Sequence, residues 1–247
     1  ILEHAIDSND FEVVYQPIYS VNTGKYSTAE ALIRLKNSEI GYISPEEFIP
    51  LAEKNGMILK IGNFVFKEVC SYISENRIWE KGIEFIHVNL SVVQCMQERL
   101  YEQLLEIMDF YKLDYQYINL EVTETTAIAS SDILLKNMNI LMEKNVKFSL
   151  DDYGTGFSNT STLIKYPFNI IKLDKTMING AVKDQKAQIV LQKTVNMVKD
   201  LNMQVVAEGI ENAGEQELVL EIGCDYIQGH LYSYPLSAND FLAFLER

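Results

Sequence analysis

Apolar positions along the chain follow two periods that alternate. Phe11-Glu12-Val13-Val14-Tyr15-Gln16-Pro17-Ile18-Tyr19 is a short run rich in β-branched and aromatic residues, and it predicts a first strand with one polar residue, Gln16, inside it. Asn22-Thr23-Gly24 fits a short hairpin loop, and Lys25 to Leu35 returns as a second strand, so these two strands are expected to pair antiparallel. Ser44-Pro45-Glu46-Glu47 opens a helix, with Ser as N-cap, Pro in the first turn and Glu three residues after the cap. Phe48, Leu51 and Ala52 give it an apolar stripe, and Asn55-Gly56 ends it. A second helix is predicted over about Lys60 to Glu75, with Phe64, Val65, Val69 and Tyr72 inward.

From there strands and helices alternate. Strands are predicted at Ile83 to Leu90, Tyr117 to Thr123, Val146 to Leu150, Asn169 to Asp174, Val205 to Gly209 and Tyr226 to Gly229. Between them the longer period marks helices at Glu98 to Tyr111, Ser131 to Lys144 (Ile133, Leu134, Met138 and Leu141 inward), Thr160 to Ile164, Lys186 to Leu201 and Glu215 to Ile222, with a closing helix at Asp240 to Glu246. About eight strands, most followed by helices, argue a parallel sheet closed into an α/β, TIM-like (β/α)8 barrel with one antiparallel strand at the start. An open doubly wound sheet is the competing topology, and no glycine-rich phosphate loop of the usual spacing favours it.

The 247 residues show no Gly/Ser/Pro linker, so a single domain is expected, and a start at Ile1 suggests one cut from a longer protein. Hydrophobic residues make up 47%, enough for a sizeable core. The formal charge of −14 argues against binding a DNA or RNA polymer or an anionic membrane through the bulk surface. It leaves room for an anionic substrate if bound cations reverse the local field. Three dispersed cysteines and three dispersed histidines, His4, His87 and His230, exclude the usual zinc spacings and suggest reduced thiols in the cytoplasm. No apolar run is long enough to span a bilayer.

The chemistry gathers at strand ends. Asp151-Asp152-Tyr153-Gly154-Thr155-Gly156 puts adjacent carboxylates where a strand runs out, before glycines that let the loop turn. Alone, that hexamer is equally an acidic turn before a helix. Glu30, in the second strand, has a similar plain reading as a solvated edge position. Lys172 and Asp174, two apart, share a face. In a barrel, polar residues at the carboxyl ends of strands point into one mouth, and there Glu30, Asn89, Glu121, Asp151, Asp152, Lys172, Asp174, Glu208 and Gln228 would converge. Several carboxylates with one amide require cations, and all-oxygen donors select hard ions such as Mg2+, Mn2+ or Ca2+. Two such ions about 3.5–4 Å apart are the usual clamp for phosphodiester displacement.

Those residues stand in Tyr15-Gln16-Pro17-Ile18, Glu30-Ala31-Leu32-Ile33-Arg34, Val88-Asn89-Leu90-Ser91, Glu121-Val122-Thr123-Glu124, the Asp151 to Gly156 loop, Lys172-Leu173-Asp174, Ala207-Glu208-Gly209-Ile210-Glu211 and Gln228-Gly229. In these blocks the chain resembles, over essentially its whole length, the EAL domains, phosphodiesterases acting on cyclic di-GMP. The resemblance implies hydrolysis to linear pGpG. It implies that Glu30, Asn89, Glu121 and Asp151 hold one cation and that Asp151, Asp152 and Glu208 hold the other. Glu208 would be the general base and Lys172 would position water. Gln16, Arg34, Asp174, Glu211 and Gln228 would line the substrate pocket, and Glu124 would hold the Asp151 to Gly156 loop. Mg2+ or Mn2+ would support turnover, Ca2+ would bind but inhibit, and the domain would dimerise beside sensor or GGDEF domains in the full-length protein. The alternative within the family is a catalytically silent domain that binds cyclic di-GMP or a partner protein. Departures from the usual blocks are Tyr153 and Phe157 exchanged, Leu35, Thr160 and His230; none removes an expected ligand.

Overall fold

The computed structural model describes residues 10–37, 41–129, 131–155 and 160–246. The strands are β1 (Phe11–Ser20), β2 (Lys25–Asn37), β3 (Gly41–Ile43), β4 (Phe85–Asn89), β5 (Ile118–Thr123), β6 (Lys147–Tyr153), β7 (Ile170–Leu173), β8 (Gln204–Ala207) and β9 (Tyr226–Ile227). The helices are α1 (Pro45–Asn55), α2 (Ile58–Asn76), α3 (Val92–Cys95), α4 (Leu100–Phe110), α5 (Glu124–Ala129), α6 (Ser131–Met142), α7 (Thr160–Lys165), α8 (Lys175–Lys183), α9 (Gln185–Asp200), α10 (Ala213–Glu221) and α11 (Ala238–Leu245). The sheet runs β1-β9-β8-β7-β6-β5-β4-β2 and closes where β1 pairs with β2, giving an eight-stranded barrel with β3 hung outside on β2. β1 is antiparallel to both of its neighbours, as the hairpin pattern predicts, and the other barrel strands are mutually parallel.

Two cores hold the barrel. The larger lies between strands and helices. There α2 buries Ile58, Ile61, Val65, Val69, Tyr72 and Ile73, spaced to make one face of a helix. The smaller is the barrel floor, made of Ile18, Phe85, Ile170, Val206 and Tyr226. Side chains alternate along a strand, so the next inward position lies two residues on. From these floor residues that step arrives at Gln16, His87, Lys172, Glu208 and Gln228. Five of the strands thus set an apolar floor beneath a polar mouth, while β2, β5 and β6 place the buried polar residues Thr28, Asn119 and Ser149 below Glu30, Glu121 and Asp151.

Local signals hold at several ends. Gly56 (φ 77°) stops α1, and Asp174, Asp184 and Asn212 cap α8, α9 and α10 through their side-chain oxygens. Differences from the sequence pattern have physical reasons. Leu51 is solvent-exposed while Phe48 and Ala52 are buried, because Pro50 and Leu51 lie on the outer side of α1. β3, α3 and α5 are too short to impose a period, and α8, although nine residues long, buries only Ile178 and Ala181 and carries Asn179-Gly180, which reads as a turn; the sequence pattern predicts none of the four. The strand expected to end at Leu150 continues through Asp151 and Asp152 to Tyr153. Gly156, Phe157 and His4 lie outside the described residues. The cysteines are buried and free, and no helix among the described residues is long and apolar enough to cross a membrane.

Candidate active site

Glu30 sits in the middle of β2, flanked by Gln16 on β1 and His87 on β4. It is therefore not an edge position, and only 6% of the residue is exposed. Its Oε1 accepts from Asn89 Nδ2 at 2.7 Å; its Oε2 accepts from Gln228 Nε2 at 2.8 Å and from Lys172 Nζ at 3.3 Å. Burial alone would raise its pKa, but Lys172 and the two amides outweigh it and hold the carboxyl below its ordinary value.

Lys172 is the centre of the cluster. Its ammonium is fully buried and lies 3.3 Å from Glu30, 2.8 Å from Glu121, 3.2 Å from Asp151 and 2.8 Å from Glu208. Burial works against its charge, and the four carboxylates more than offset that, so its pKa is raised. One ammonium cannot neutralise so many acids. Glu121 and Asp151 are pushed up, first by burial and then by neighbouring carboxylates, against the pull of Lys172. Glu208 is pushed up to about 8 in the same way. Asp152 is pushed up to about 6 by burial and by Asp151.

The two adjacent aspartates reach one place through a bulge. Pairing of β6 with β7 shifts between Leu150 and Tyr153, and Asp152 has φ 56°. In a regular strand consecutive side chains point apart; the left-handed residue turns Asp152 back toward its neighbour. Asp151, Asp152 and Glu208 then offer oxygens that all lie within 4.8 Å of one another. The donor set fits hard divalent cations: oxygen atoms only, excess negative charge, and a buried Asp151 Oδ1 that faces the Lys172 ammonium at 3.2 Å.

The expected pocket residues divide between two clefts. One, about 360 Å3, is mostly apolar and includes Arg34, Pro45, Asn89 and Thr123. The other, about 270 Å3, includes Gln16, Glu30, Asp174, Glu208, Glu211, Gln228 and His230. Leu32 lines both. Gln16 accepts from Gln228 at 3.1 Å and donates to the Ser233 carbonyl at 3.1 Å, which steadies the amide that holds Glu30. Asp174 lines the cleft while its Oδ1 caps α8, so it shares the mouth with Lys172 but not its burial. Glu124 is buried at the start of α5 and lines a further cleft with Asp152 and Thr155. His230 stacks on Tyr234, ring centroids 4.3 Å apart. Sequence reasoning missed His87, whose Nδ1 is 2.7 Å from Glu121 Oε1. The signal was available: His87 is two residues before Asn89 and so faces inward.

The sequence model of the EAL domain family matches residues 1–235. The signaling protein YkoW of Bacillus subtilis is 34% identical over 99% of this chain, which spans 30% of its length. The cyclic di-GMP phosphodiesterase PdeR of Escherichia coli is 30% identical over 100% of this chain, which spans 37% of its length. The solved structure of the PaMucR phosphodiesterase in complex with c-di-GMP superposes with a TM-score of 0.89 at 32% identity, covering 97% of each chain.

Proposed function

Because the chain belongs to the EAL domain family, we propose that it is an active phosphodiesterase that opens cyclic di-GMP to linear pGpG. The observation that carries this reading is Lys172, held by four carboxylates beside two clefts that share Leu32. A two-lobed mouth suits a ligand with two bases, and an acidic floor suits a phosphodiester only when cations lie between them. Mg2+ or Mn2+ ions held by Glu30, Asn89, Glu121 and Asp151, and by Asp151, Asp152 and Glu208, would supply charge stabilisation for the phosphoryl group and a more acidic water.

This chain's own residues would do the rest. Glu208, whose Oε1 lies 2.8 Å from Lys172 Nζ in the same cluster as Asp151, would be the base that takes a proton from the attacking water once cations hold it ionised. As the water oxygen bonds to phosphorus, the bond to the leaving ribose oxygen breaks and that oxygen takes up a proton. The Lys172 ammonium offsets the negative charge that grows during this displacement. Asn89 and Gln228 keep Glu30 in one orientation. Asp174 and Glu211 are acceptors suited to the N–H edge of guanine, and Arg34 is a donor suited to phosphate or base oxygens. Glu124 supports the loop that begins at Asp151.

The test is incubation with cyclic di-GMP and Mg2+ or Mn2+, followed by chromatography. Hydrolysis should stop with EDTA, return with either ion and stay low with Ca2+, whose looser coordination holds the reacting oxygens less strictly. Equal turnover in chelator would overturn the metal requirement. Tight binding without turnover would move the chain to the silent receptor reading. The same reading makes this segment the cytoplasmic catalytic module of a longer protein with sensor or GGDEF domains. It also makes it a homodimer, for which Ile128 on α5 and Ile164 on α7, 61% and 81% exposed, offer apolar surface. Light scattering that finds only monomer with substrate and metal present would remove the dimer.

A further inference from the structure

His87 belongs to none of the roles assigned above. It lies on β4 two residues before Asn89, so both face into the barrel. Its neighbours in register are Glu30 on β2 and Asn119 on β5, and Asn89 pairs with Glu121. His87 therefore sits one step below the oxygen cluster, on the strand between those that carry Glu30 and Glu121. Its Nδ1 lies 2.7 Å from Glu121 Oε1, with side chains 1% and 0% exposed.

We propose that His87 is a positioning residue that carries its ring proton on Nδ1 and turns it toward Glu121, fixing that carboxylate in one orientation as a cation ligand. The inference rests on the two-metal reading of the site. The geometry gives the reason. Two polar atoms 2.7 Å apart repel unless a proton lies between them. A doubly protonated ring is disfavoured, because it would be buried beside the Lys172 ammonium. The single ring proton then has two places to go, and only Nδ1 faces the carboxylate. The Nδ1–H is off the direct line to Oε1, so the pair does not yet form a full hydrogen bond; a small rotation of the ring would align it. Phe85, one inward step below, packs against the ring with centroids 5.2 Å apart and limits that rotation.

The role differs from that of Lys172. Lys172 Nζ lies 2.8 Å from Oε1 and 2.9 Å from Oε2 of the same carboxylate. Its charge competes with a cation for these oxygens. A neutral donor orients one oxygen without adding positive charge, and leaves the other lone pairs for an ion. Outer partners of this kind commonly hold ligating groups in place.

Two measurements test this. First, 15N NMR of the imidazole in the unmodified chain, loaded with Mg2+, reports which ring nitrogen carries the proton. An Nδ1–H ring is expected, and an Nε2–H ring overturns the proposal. Second, calorimetry with Mn2+ and no substrate compares His87→Leu, which keeps bulk without a donor, with His87→Asn, whose amide N–H lies near the Nδ1 position. His87→Leu should weaken Mn2+ binding by about 10–100-fold, and His87→Asn should recover most of it. Equal affinity in His87→Leu, or a loss in His87→Asn as large as in His87→Leu, overturns the proposal. If His87→Leu does not fold, the tautomer and His87→Asn decide. An unmodified chain that binds no Mn2+ defeats the metal reading itself, and the positioning role with it. A chain that binds Mn2+ equally with and without the His87 donor defeats the positioning role alone.

Discussion

At Lys172 a buried ammonium lies within ion-pair distance of Glu30, Glu121, Asp151 and Glu208. Without it those acids would face one another in a site of low dielectric, where breaking a buried pair leaves an uncompensated charge. Lys172→Ala should therefore do two things. Turnover should fall by about 10²–10³-fold, the usual loss for one preorganised electrostatic group, while cyclic di-GMP still binds in the presence of metal. The cation-free variant should also melt lower than the parent, with Mn2+ restoring part of the difference. Calorimetry that finds no substrate binding at all would show that Lys172 has a different role.

At the scale of elements, the bulge in β6 does what neither aspartate could do alone. Asp152 takes a left-handed conformation, unusual for a residue other than glycine and costing about 1–2 kcal/mol, and in return two consecutive carboxylates serve one cluster. Asp151 is buried against Lys172, whereas Asp152 is exposed beside it. Asp151→Ala should weaken both cation sites and Asp152→Ala should leave one occupied, with both variants nearly inactive. Mn2+ stoichiometry with substrate present is the measurement. Loss of both ions in Asp152→Ala would contradict the bridging role of Asp151. The end of β9 is equally constrained. A Cβ added at Gly229 would collide with the backbone oxygen and nitrogen of Ile210, which cannot swing aside as a side chain can. Gly229→Ala should cost about 1–3 kcal/mol in denaturant unfolding, and an unchanged midpoint would show that this approach is looser than described.

At the scale of the whole molecule, the site opposes the stability of the fold around it. Glu208 and Asp152 have folded pKa values raised to about 8 and about 6, from 4.5 and 3.8. A carboxyl raised on folding binds more protons in the folded state than in the unfolded one across that window. Stability from these groups is thus fully present below the unfolded pKa and is lost as pH rises through the folded value. The cation-free chain should lose melting temperature between about pH 4.5 and 8, and Mg2+ or Mn2+ should flatten that slope by replacing the protons. Thermal melts in EDTA that are level or rise across this range would be inconsistent with the crowded cluster. The net charge of −14 adds a general repulsion in the same direction.

The alternation of periods was enough to reveal the hairpin, the parallel strands that follow and the closed barrel, because burial faces and turn chemistry are written locally. Residue type and position also identified the oxygen-rich cluster, since a carboxylate inside an apolar strand has no cheap place except a shared mouth. The short elements β3 and α3 were not legible, because they contain too few residues to show a period, and α8 was not, because Asn179-Gly180 interrupts a pattern with only Ile178 and Ala181 buried. Three further features were decided only in three dimensions. Strand register put Lys172 among four acids drawn from four other strands or strand ends, a bulge turned Asp152 back beside Asp151, and His87 came to face Glu121. Each depends on the distance between side chains far apart in the chain. That distance is fixed by how the barrel closes, and local sequence preference carries no information about it.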